Sequence, residues 1–218
     1  MKISKNRLIQ HFFHSLILPF ILVLLPLGQT ANATTDAYPL KPLDTSSPRA
    51  TMDAFMEVMD RAYQTGLDAG FQDEAVLALL NRAAECFDLS EVAPNLVKDV
   101  GVETALLLKE IFDRIELPPA KRIPDQTTIG FDGLTRWRVP NTAIQIILVE
   151  KGPRQGEFLF SNATVDRMKA FYDRVVHLPY KPGSSVGAYE DYIFGPGRMI
   201  PQGLSNVLTK GCNSYLNI

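Results

Sequence analysis

The run VETALLLKEIFDRIEL, Val102 to Leu117, constrains the fold more than any other stretch of this chain. Val102, Leu106, Ile111 and Ile115 recur at helical spacing, and Leu106-Leu107-Leu108 widens the apolar stripe beyond one face. A helix that is apolar over so much of its circumference belongs at the centre of a domain, with other elements packed around it. Pro94 can open it, and Pro118-Pro119 ends it. Lys109 and Asp113 lie four residues apart on it, and so do Glu110 and Arg114. At that spacing they read as ordinary solvated ion pairs, worth roughly 0.2–0.5 kcal/mol each.

The elements that must surround this helix are also legible. Ser47-Pro48 is a helix start, because a serine oxygen can accept from a free backbone N–H and proline fits the first turn. The segment ATMDAFMEVMDRAYQTG then sets Met52, Phe55, Met56, Met59 and Tyr63 on one face of a helix over 48–65, with Gly66 as its stop. That face reads as core, although methionine also suits an adaptable partner-binding groove. A second helix covers 74–86, and Asp88-Leu89-Ser90 breaks it. After Gln126 the pattern changes. Residues 135–139 alternate up to Pro140, and 143–150 (AIQIILVE) is rich in β-branched residues, with Ile144, Ile146 and Leu148 on one face. A turn over 151–156 leads to a short return strand at 157–160. The expected hairpin must pack on helices, since a lone hairpin is marginal in water. Ser161 caps a last helix over 163–176, with Val165, Met168, Phe171, Tyr172 and Val175 facing inward. From Pro179 the chain reads as loop, and Tyr180, Tyr189, Tyr192 and Phe194 either fold back on the domain or meet a membrane interface. The expected class is α+β: mostly helical, with a small antiparallel β-hairpin sheet packed on helices.

Residues 1–33 stand outside this scheme. Lys2, Lys5 and Arg7 precede an apolar run from Leu16 to Leu27, and Ala31-Asn32-Ala33 fits a small-x-small cleavage site. The run is shorter than the roughly 20 residues a bilayer span needs. The expected organisation is a signal peptide over 1–33, an extended linker over 34–47, a periplasmic α+β domain over 48–178, and an aromatic loop with a C-terminal tail over 179–218. If uncleaved, the first segment would anchor the chain to the membrane. The leader holds three of the 22 basic residues and none of the 24 acidic ones, so the remainder carries 19 against 24, a net charge of −5. That balance argues against nucleic acid as a partner and against docking on anionic lipid. After the leader, no apolar stretch reaches spanning length.

A search for chemistry returns little. Gly183-Ser184-Ser185-Val186-Gly187 matches a nucleophile elbow, but prolines precede it, and His177, the only histidine after the leader, comes before it rather than after. His177 reads as a residue at a helix C-terminus, where its charge suits the dipole. One such histidine and the distant Cys86 and Cys212 do not supply the several ligands a metal site needs. Those two cysteines could pair in an oxidising compartment, yet Cys86 among Ala83, Ala84 and Phe87 reads as a small hydrophobe. Asn162-Ala163-Thr164 has the form of a glycosylation sequon but serves better as a helix start. No enzyme activity, cofactor or metal is expected.

Five segments together carry a resemblance: LDTSSPRATMDAFMEVMDRAY, AAECFDLSEV, VGVETALLLKEIFDRIELPP, RWRVPNTAIQIILVEKGPRQGEFLFSNATVDRMKAFYDRV and GPGRMIP. In order and spacing they resemble the periplasmic N-terminal region of large bacterial channels of the small-conductance mechanosensitive channel family. The likeness runs from about Leu43 to Leu208. In that family, membrane helices and a pore-lining helix follow this region, whereas Thr209 to Ile218 departs from the expected apolar approach to a span. The resemblance implies an exported, membrane-associated accessory module truncated before the pore, with channel subunits or other envelope proteins as partners. It implies a ring-like oligomer for the full family and says nothing of whether this chain assembles. A free-standing ligand- or partner-binding module stays open as the alternative, marked by an apolar pocket with convergent polar groups. A hydrolase built on Ser185 and His177 is the remaining reading.

Overall fold

In the N-terminal helix, α1 (Pro48–Ala69), the Ser47 hydroxyl accepts from the Ala50 N–H and proline fills the first turn. The computed structural model describes residues 41–195; the signal-peptide segment, the first half of the linker, Cys212 and the tail lie outside the described residues. Gly66 does not stop α1, which continues to Ala69 and ends at Gly70 with φ +94°. Gly66 is instead where the helix meets Phe71, whose ring would lie 2.7 Å from an added Cβ. Helix α2 (Glu74–Ala84) is capped by Asp73. Helix α3 (Val97–Phe112) starts three residues after Pro94, following a stretch of turns.

A short helix that the sequence reading did not anticipate, α4 (Gln126–Asp132), follows. Asp125 caps it, accepting from the Thr128 N–H at 2.9 Å. Three strands come next, β1 (Arg136–Arg138), β2 (Gln145–Leu148) and β3 (Phe158–Phe160), in the order β1-β2-β3 with both pairings antiparallel. Trp137 faces Ile146, and Ile146 faces Phe160. The far edge of β3 is closed by two other segments. The Phe160 N–H donates to the Cys86 carbonyl and the Phe158 N–H to the Thr45 carbonyl. Thr45, read from sequence as linker, is buried here together with the cap Ser47, and the Thr51 hydroxyl donates to the Phe158 carbonyl at 2.6 Å.

The helix expected over 163–176 forms as two, α5 (Asn162–Asp166) and α6 (Met168–Val175), broken at Arg167. Ser161 caps the first, as expected. The segment read as loop from Pro179 differs from that reading: it contains α7 (Ala188–Phe194) and lies against the domain, with Ser185 and Ala188 buried. Helix α3 is central and packs against α1, α2, α6 and α7. At the heart of the core, Phe55 meets Phe87, Phe112 and Phe160 edge-on, with centroids 5.6 to 6.1 Å apart. Phe87 stacks on Phe160 at 5.2 Å. Leu106 and Phe171 are both buried, and the fold is α+β, mostly helical with a small antiparallel sheet against helices.

Candidate functional site

The charges of α3 are not solvated. Glu110 is fully buried, Lys109 and Asp113 are 2% and 4% exposed, and Arg114 is 9% exposed. Burial follows from position, because the C-terminal half of α3 is covered by α6, α7 and the segment joining them. The Lys109 ammonium donates to both oxygens of Asp113 at 2.6 Å and lies 3.2 Å from Asp60 of α1. Arg114 is bonded to the Glu110 carboxylate and, at 2.8 Å, to the Glu110 carbonyl. Ions removed from water at this depth must be paired and hydrogen-bonded.

The remaining acceptor capacity of these carboxylates goes to residues 180–189. The Tyr180 hydroxyl donates to Glu110 Oε2 at 2.5 Å and accepts from the Gly187 N–H at 3.0 Å. The Tyr189 N–H donates to Glu110 Oε1, and the Ser185 N–H to Asp113 Oδ2. The Asp113 carbonyl accepts from the Lys181 N–H and the Ser184 hydroxyl, while the Lys181 ammonium reaches the Ile115 carbonyl. The Arg114 guanidinium lies over the Tyr180 ring at 3.8 Å. Burial, with Glu110 as acceptor, pushes the Tyr180 phenol up to about 12, so it stays a neutral donor. Tyr172, buried and bonded to Glu190, moves in the same direction. Burial also raises the Asp191 carboxyl, with Glu190 and Glu110 adding to the effect.

This cluster ties residues 180–189 to the end of the central helix as a clamp. The cavity touching Lys109, Ser185 and Ala188 measures about 10 Å³, room for a single water at most. Ser185 contributes its backbone N–H and is buried, whereas His177 is exposed beyond the end of α6. The Gly-Ser-Ser-Val-Gly motif is therefore a turn under the clamp. Met52 and Met59 are core, as the periodicity predicts, and Tyr180, Tyr189 and Tyr192 fold back on the domain, while Phe194 stays exposed. Cys86 is a buried free thiol, raised to about 12 by its burial.

A second feature lies beside the first turn of α3. A cleft of about 1050 Å³ opens between the helical layer and the sheet. Ala84, Leu89 and Val97 form its helical wall, and Ile147, Leu148 and Leu159 the sheet wall. Glu85, Asp88 and Lys98 stand on the helical rim, and Arg136, Glu150 and Lys151 on the sheet rim. Sequence reading missed this cleft because its walls are far apart in the chain, and no local pattern marks them as neighbours. Among the described residues, no group of three or more histidine, cysteine or acidic side chains is placed to hold a metal ion. No family model matches the chain, and no curated protein or solved structure matches it.

Proposed function

We propose that this domain is an exported accessory module of the mechanosensitive-channel type, working by binding and holding rather than by catalysis. The observation that carries the reading is the phenylalanine cluster. Phe55, Phe87, Phe112 and Phe160 come one each from four of the five segments that resemble the periplasmic region of those channels, and their rings meet in one core. The likeness thus follows a folded unit rather than scattered local patterns. The buried clamp adds to it: residues 180–189 are held against the central helix by Glu110 and Asp113. In the family resembled, that segment leads toward the membrane. The test is to co-express the tagged chain with a small-conductance mechanosensitive channel carrying a like periplasmic region, then cross-link in intact cells. Channel subunits should be recovered at a stoichiometry that survives washing. Recovery no better than that of an unrelated exported domain would sink the reading. The open cleft favours a second reading, a free-standing binding module, which predicts binding by the purified chain with no channel present.

A further inference from the structure

The register of the sheet leaves one edge open. Leu148 donates to the Thr135 carbonyl and Val139 to the Ile144 carbonyl, so residues 135, 137 and 139 of the first strand turn their amides toward β2. In an antiparallel ladder the intervening residues turn theirs outward. Those residues are Arg136 and Arg138, both exposed, whose backbone groups have no partner among the described residues. The opposite edge, along β3, is already closed by Thr45 and Cys86. An open edge of this kind accepts an extended peptide through main-chain hydrogen bonds.

Charge says which peptide. Neither guanidinium makes an ion pair or hydrogen bond among the described residues, and both lie on the same face of the sheet, two residues apart. Residues of an added strand directly across from them would also be two apart and on that face. Opposite charges at such positions stabilise a pair, and like charges destabilise it. A second copy of β1 would set arginine against arginine, so self-pairing is disfavoured. The chain's own remaining segments do not fit, since residues 1–40 contain one acid, Asp36, and 196–218 contain none.

We infer that β1 is a docking edge for an extended segment of another protein, with acids at two alternate positions facing Arg136 and Arg138. The test uses the purified chain and a capped hexapeptide with glutamate at its first and third positions. Trp137, the only tryptophan of the chain and the middle residue of β1, reports the event. A saturable change in its emission at low salt is expected, weakening as salt is added. Reversing both charges, Arg136→Glu with Arg138→Glu, should weaken binding by about tenfold or more. Because both side chains are exposed, the variant should keep its far-ultraviolet spectrum. A peptide N-methylated at alternate amides should not bind, and this arm requires no variant at all. Absence of a saturable change with the glutamate peptide overturns the proposal. Equal binding of the N-methylated peptide, or of one with lysine for glutamate, does so as well. A concentration-dependent dimer abolished by the double reversal would assign the edge to a second copy and overturn it too.

Discussion

Removing the Glu110 side chain should unfold this domain far more readily than its place in the sequence suggests. A solvated i,i+4 pair would lose roughly 0.2–0.5 kcal/mol. Glu110 is 0% exposed and accepts from Arg114, Tyr180 and the Tyr189 N–H. Glu110→Ala leaves Arg114 as a buried cation facing a void, and breaking a buried pair in this way costs about 3–5 kcal/mol. For a domain of this size each kcal/mol lowers the melting temperature by about 2–4 °C, so a fall of about 6–20 °C is expected. Urea unfolding followed by circular dichroism measures the change directly. Tyr180→Phe is the companion variant. It removes one hydrogen bond to a charged acceptor, worth about 1.5–3 kcal/mol, with the low end expected because Glu110 keeps its other two donors. The double variant should lose less than the sum, since both act on one network. A loss below about 1 kcal/mol for Glu110→Ala, or strict additivity, would refute the clamp and restore a solvated pair.

Phe171→Ala empties a buried site on α6 and should lower stability by about 3–5 kcal/mol, read from the urea midpoint. In a Cys212→Ser background, Cys86 should resist a thiol-labelling reagent at pH 8 until denaturant is added, since burial raises it to about 12. Glu157 is held below its ordinary value of 4.5 by Arg154, with a further hydrogen bond from Thr45. Its native carboxylate thus binds a proton more weakly than the unfolded one, so its stabilisation is complete above about pH 4.5 and drains away as pH falls through the native value. Unfolding of Glu157→Gln should therefore depend less on pH than that of the parent below pH 5, while an unchanged acid limb would refute that assignment.

What the sequence showed of this fold was mostly local. Ser47-Pro48 and the spacing of Met52, Phe55 and Met59 define α1 without reference to any other segment, and Ser161 likewise marks the start of α5. Helix α7 was hidden because it is short, begins at Gly187 and carries Glu190 and Asp191; its docking depends on Glu110, some eighty positions earlier. The burial of Lys109, Glu110, Asp113 and Arg114 was readable in principle. They sit on a helix apolar around most of its girth, and the same breadth that puts such a helix at the centre leaves its charges no exposed face. The i,i+4 spacing is the same whether a pair is wet or dry, so the spacing alone misled. The clamp's other half, Tyr180 to Tyr189, offers no periodicity, and the cleft's walls become neighbours only once the sheet has packed.

The phenylalanine core also sets the order in which the chain can fold. Its four rings stand at positions 55, 87, 112 and 160, so no contiguous stretch can close the core by itself. The entropy of joining such distant positions must be met before their contacts contribute, and it rises, though slowly, with the length enclosed. A chain growing from the ribosome or threading through a pore therefore has helices but no finished centre until Phe160 is free. The clamp waits longer still, until Tyr189 has followed. A nested set of C-terminal truncations should accordingly show a threshold rather than a slope: products ending before Phe160 degraded quickly, those ending between it and Tyr189 folded but fragile, and those reaching α7 resistant to protease.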